Sequence, residues 1–78
     1  MTLHVYSLKK QVLKKEVASV NLKTADGEIT VLDHHRPLIS FLGEGPVRIV
    51  DTKGGRDTIE VSGGFLEVRP GEINIMVD

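Results

Sequence analysis

The stretch Thr58-Ile59-Glu60-Val61-Ser62-Gly63-Gly64-Phe65-Leu66-Glu67-Val68 decides the fold class. Ile59 and Val61 alternate with Thr58, Glu60 and Ser62. A period of two is the signature of a strand with one face on a core and the other toward water or a partner. Two glycines then interrupt the run before apolar residues resume. Gly63-Gly64 opens no helix and is not followed by Lys-Ser/Thr, so it is not a phosphate loop. It reads as a bulge or sharp bend between two strands.

The same period recurs outward along the chain. Ile73, Ile75 and Val77 alternate with Glu72, Asn74 and Met76, and Val47 and Ile49 flank Arg48. Further strands are expected at Leu3–Tyr6, Val12–Leu13, Val17–Leu22, Ile29–Leu32 and Leu38–Leu42. Arg69-Pro70-Gly71-Glu72 suits a type II turn, with proline fixing φ and glycine accepting a positive φ. Asp26-Gly27 is a two-residue hairpin signal. Lys53-Gly54-Gly55-Arg56 separates two alternating runs as another hairpin. Eight or nine short strands with frequent turns argue for an all-β sandwich or barrel. Residues 1–78 are expected to form a single domain.

The totals narrow the function. At 78 residues the chain is one small domain, of a size that buries about 60% of its unfolded surface. It has no cysteine for a disulfide or a thiolate zinc site, which fits a reducing compartment. Its net charge of -1 lacks the basic excess of a nucleic-acid binder. No apolar run approaches the roughly 20 residues that span a bilayer, and there is no signal-peptide core.

Candidate chemistry is thin. His34 and His35 are adjacent, so on a strand they would face opposite ways and could not easily grip one ion. Asp33, His35 and Ser62 have the residue types of a hydrolase triad without a nucleophile elbow around the serine. Lys9, Lys10, Lys14 and Lys15 form a basic cluster. It reads as solvated lysines guarding an edge strand, or as a patch for RNA or an acidic surface. Tyr6, Phe41 and Phe65 are the only aromatics and offer little base stacking. No catalytic residue, cofactor site or metal site is assigned. What remains is a surface for protein contact.

A second stretch makes that surface specific. Gly27, Glu28, Ile29, Val31, Leu32, His35, Pro37 and Leu38 fall in the order Glu-Gly-Glu-apolar-Gly-apolar-Leu-Pro-Gly-His-Ala-Pro-Leu. That order is typical of the N-terminal β-sandwich domain of the epsilon subunit of rotary (F-type) ATP synthases. Gly45, Val47, Arg48 and Ile49 echo the family's next segment. Ser62 to Val68 reproduces its Ser-Gly-Gly-Phe-apolar-Glu-Val, and Met76-Val77-Asp78 is similar to its closing Leu-Ala-Asp. The chain therefore closely resembles that domain over essentially its whole length. Thr30, Asp33 and His34 stand where the family has glycine, proline and glycine, which leaves the local turn open. The family's helical hairpin would begin where this sequence stops, so the roles tied to that hairpin are not carried over.

The resemblance implies an all-β fold, a two-sheet β-sandwich of about eight to ten short, mostly antiparallel strands. It also implies a non-catalytic rotor part at the foot of the central stalk, on the cytoplasmic side of an energy-transducing membrane and not inserted in it. It would link the gamma subunit to the membrane rotor ring of c subunits and help couple proton or sodium transport to ATP synthesis. By position, Ser7, His35, Ser40 and Ser62 would lie on or near the gamma-facing surface, and Glu28 would face the ring loops. Gly27, Pro37, Gly63, Gly64 and Phe65 would be structural. The alternative is a stand-alone β-sandwich binding module with an unrelated partner.

Overall fold

A computed structural model describes residues 1–8 and 10–77. Lys9, from the lysine cluster, and Asp78, from the closing strand, lie outside the described residues. The described residues form eight strands: β1 (Thr2–Tyr6), β2 (Gln11–Thr24), β3 (Gly27–Leu32), β4 (Leu38–Leu42), β5 (Gly45–Asp51), β6 (Arg56–Val61), β7 (Gly64–Arg69) and β8 (Glu72–Val77). All pairings are antiparallel except β1 with β8. The all-β fold expected from the alternation forms, as the sandwich that the resemblance implies.

One layer runs β4, β7, β8, β1 and the first half of β2. The other runs β3, the second half of β2, β5 and β6. The sequence pattern suggests separate strands at Val12–Leu13 and Val17–Leu22. Instead one 14-residue strand carries both. The charged run Lys14-Lys15-Glu16 hid this continuity. Glu16 and Lys14 point to solvent, while Lys15 sits half-buried with its ammonium 3.7 Å from an Asp51 carboxylate oxygen.

β2 changes layer at a bulge. Its register against β5 skips one residue between Val17 and Ser19. One extra residue reverses the sense of every later side chain. The inward set accordingly moves from Leu13, Lys15 and Val17 to Val20, Leu22 and Thr24. Strands that cross between sheets commonly do so at such a defect.

The core lies between the layers. Leu3, Val5, Leu66, Val68, Ile73 and Ile75 come from one layer and Val20, Leu22, Val31, Val47 and Ile49 from the other. Val17, at the bulge, and Leu42, at the corner where β4 meets β2, complete it.

The turns explain the registers. Pro70-Gly71 closes the Arg69–Glu72 pair with Gly71 at φ +74°, as a type II turn requires. The hairpin after β2 turns one residue earlier than Asp26-Gly27 suggested. Ala25 and Asp26 form its tip, and Gly27, at φ +123°, pairs with Thr24. The Thr24 hydroxyl draws the tip in. It donates to the Gly27 carbonyl at 2.8 Å and accepts from the Asp26 N–H at 3.2 Å. At the Lys53-Gly54-Gly55 hairpin, Asp51 Oδ1 accepts the N–H groups of Lys53 and Gly55, each at 2.8 Å.

Candidate functional site

The bend anticipated at Gly63-Gly64 is present and tight. Both glycines have positive φ, +150° and +145°. A Cβ on Gly64 would lie 2.0 Å from the Met76 carbonyl oxygen. Glycine here lets β7 start flush against the end of β8 and β4, since Gly64 pairs with both Val77 and Leu42. That close approach aligns the outward residues that follow.

Those residues form an apolar row across the β4-β7-β8-β1 layer. Phe41 pairs with Phe65, Phe65 with Met76, and Met76 with Tyr6. Phe41 is 69% exposed and Ile39, two residues back on the same face, 64%. The two phenyl rings meet edge to face, centroids 5.6 Å apart at 75°, a favoured aromatic geometry. Leu8, 90% exposed, borders the same end of the sheet beside Gly64 and Val77. Contiguous apolar surface of this kind is a candidate interaction site.

The opposite outer face is polar. Asn21 donates to Thr30 Oγ1 at 2.9 Å and to a Glu28 carboxylate oxygen at 3.2 Å, and Arg48 donates to Asn21 Oδ1 at 3.4 Å. Glu28 is exposed at the start of β3, held by that amide.

The residues named from the sequence are spread over the domain. Ser7 follows β1 and Ser62 precedes the Gly63-Gly64 bend, so both lie at the Leu8–Phe65 end of the layer. Ser7 is fixed by its N–H to the Lys10 carbonyl at 2.9 Å. His35 lies at the other end, in a cleft with Arg69 and Pro70, its Nδ1 2.7 Å from the Arg36 carbonyl oxygen. Ser40 shares the inward side of β4 with Leu38 and Leu42, half-exposed because β4 is an edge. Pro37 is exposed just before β4. Phe65 has its ring on the outer apolar face rather than in the core. Ser62 and His35 occupy opposite ends of the layer, so the residue types of a triad do not converge. Among the described residues no three His, Cys, Asp or Glu side chains gather, and no helix is long and apolar enough to cross a membrane.

A turn forms at Asp33-His34. The His35 N–H donates to the Leu32 carbonyl at 3.1 Å, and His34 takes φ +66°. A histidine thus occupies the left-handed position that a glycine would fill without cost.

Ile39, Phe41 and Leu8 are surface residues that the sequence pattern did not single out, whereas Met76 falls on the outward side its alternation implies. The signal was present: Leu38-Ile39-Ser40-Phe41-Leu42 and Ile75-Met76-Val77 are apolar on both parities. A strand wet on one side keeps that side polar.

Eight strands of the described residues in two layers, with an exposed apolar row at one end of one outer face and a polar opposite face, define a small β-sandwich domain. The chain belongs to the family described as ATP synthase, Delta/Epsilon chain, beta-sandwich domain, which it matches over residues 1–78. It is 39% identical over 74 residues to the ATP synthase epsilon chain of Bordetella petrii, covering 95% of this chain and 52% of that one. It is 35% identical over 78 residues to that of Acinetobacter baumannii, covering 100% of this chain and 56% of that one. The chain thus spans about half the length of the curated relatives it matches. A chain in the Euglena gracilis mitochondrial ATP synthase structure (OSCP, F1 and c-ring) superposes with a TM-score of 0.89 at 30% identity, over 96% of this chain and 48% of that one. A chain in the Tetrahymena thermophila mitochondrial ATP synthase central stalk and c-ring structure shares the fold, with a TM-score of 0.79 at 18% identity over 99% and 62%.

Proposed function

We propose that this chain is the β-sandwich part of a non-catalytic central-stalk rotor subunit of a rotary ATP synthase. It links the gamma subunit to the rotor ring and supports coupling of proton or sodium transport to ATP synthesis. It sits peripherally in the complex, on the cytoplasmic side of the membrane. The family match motivates the class. The observation that carries the contact assignment is the row Phe41–Phe65–Met76–Tyr6, left open on one outer face.

Gamma is assigned to the apolar face and its Ser7–Ser62 end. Apolar side chains supply contact area there, and small serines at the margin allow close approach. Glu28 is assigned to the ring. It stands at the opposite, polar face, where a carboxylate can meet basic loop residues. His35 and Ser40 remain proposed gamma-side residues at the margins of the same layer.

The test is co-purification with the gamma subunit from the same source. A stable complex is expected, lost in Ser62→Trp and Phe41→Asp and kept in Glu28→Lys. Failure of the folded chain to bind gamma would overturn the reading and favour an unrelated partner.

A further inference from the structure

We infer that the open edge of β4 is a strand-addition site, taken up by an extended, uncharged segment of the partner that covers the apolar face. This deepens the proposed function and rests on it. The backbone hydrogen bonds give the direction. The Phe41 carbonyl accepts from the Ala25 N–H at 2.9 Å, and the Gly43 N–H donates to the Lys23 carbonyl at 3.0 Å. These bonds flank the single Thr24–Leu42 pair where β2 meets β4. Residues 41 and 43 therefore aim their main-chain groups away from β7. Successive residues of a strand alternate in this respect. The N–H and C=O of Ile39 and the N–H of Phe41 point to the same open side. None of them has a main-chain partner among the described residues.

This edge lacks protection by charge. Free edges are normally blunted by charge. The outer strand β6 carries Arg56, Asp57 and Glu60, and the β3 edge carries Glu28. Leu38–Leu42 carries no charge at all, and its outward side chains are the exposed Ile39 and Phe41. A donor–acceptor–donor row between Pro37 and the β2 corner matches the main chain of an extended peptide. The flanking side chains select uncharged residues in it. A helix could cover Phe41 and Phe65 but could not satisfy these amides. Recognition then combines main-chain pairing with alternate side-chain contacts, as in other strand additions.

Two measurements on the 78-residue chain test this with the gamma subunit as probe. The first is hydrogen exchange at single amides. On binding, the Ile39 and Phe41 amides slow by roughly tenfold or more, while the Ser40 amide, directed at β7, changes little. The second compares Ile39→Pro with Ile39→Ala. Proline removes the outward N–H without touching the β7 ladder, so the domain keeps its fold, and binding weakens by roughly tenfold beyond the alanine variant. A gamma complex with unprotected Ile39 and Phe41 amides, or equal binding by the two variants, overturns the strand-addition site and leaves the rotor reading standing. If wild-type chain binds no gamma, both fall.

Discussion

Replacing Gly64 with alanine tests the geometry that aligns the apolar row. Two costs combine. The first is conformational: at φ +145° a side chain is strained whatever the space, at about 1–3 kcal/mol. The second is steric. The new Cβ would sit 2.0 Å from the Met76 carbonyl oxygen and 3.1 Å from its carbon. Both are main-chain atoms in the β7–β8 ladder, so no side chain can swing aside. Forcing them apart costs about 1–3 kcal/mol, or more if ladder bonds break. The sum is about 2–6 kcal/mol. A domain of this length is stable by about 4–12 kcal/mol, so around half its stability is at stake.

Gly27→Ala is the matched control. It has a similar φ of +123° with nothing within 4 Å, and so carries the strain without the clash. Urea unfolding followed by far-ultraviolet circular dichroism gives both values. With a slope of about 1 kcal/mol per molar, Gly64→Ala is expected to lower the midpoint by about 1 M or more beyond Gly27→Ala. Equal midpoints would refute the close approach of β7 to β8.

Other perturbations have equally definite outcomes. His34→Gly relieves a left-handed residue at φ +66° and should stabilise the domain by about 0.5–1 kcal/mol after glycine's entropic penalty; a lower urea midpoint would contradict the strain. The Asp51 carboxyl is held below its usual value of 3.8 by the Gly55 N–H, then the Lys53 N–H, with Lys15 adding a smaller attraction. A depressed pKa gives stability that is present above 3.8 and lost as pH falls through that value toward the folded-state pKa. Asp51→Asn should therefore flatten the acid limb of stability against pH, and a limb parallel to wild type would count against it. Phe41→Ser should change stability by less than about 1 kcal/mol, because the side chain is mostly exposed, while reducing gamma binding sharply; a large drop in melting temperature would show that the ring supports the fold instead.

The fold was largely legible because turn chemistry and alternation are local. Pro70-Gly71, the Lys53-Gly54-Gly55 hairpin and the period-two runs through Ile59 and Ile73 each point to strands within a few residues. The length of β2 was not legible. Its pattern changes parity at Ala18, and a bulge looks in sequence like an interruption. The hairpin tip slipped by one because the Thr24 hydroxyl competes for the turn, a side-chain choice that Asp26-Gly27 does not announce. Contact residues were harder still. Serines chosen by position in a family pattern carry no mark of where they point, and Ser40 proved to face inward. The outward side of Ile39 and Phe41 was not legible because both parities of β4 are apolar. Only the pairing with β7 shows which side is outside.

The bend in β2 has a mechanical consequence. In most sandwiches the two layers are joined only by loops and side-chain packing, so one can slide over the other at modest cost. Here a single extended chain is a ladder member of both layers, hydrogen-bonded to β1 before the bulge and to β3 and β5 after it. Sliding would tear a row of main-chain bonds in one layer or the other. The domain therefore resists shear like a folded plate with a continuous crease. A twisting load applied to the apolar face would reach the polar face without play.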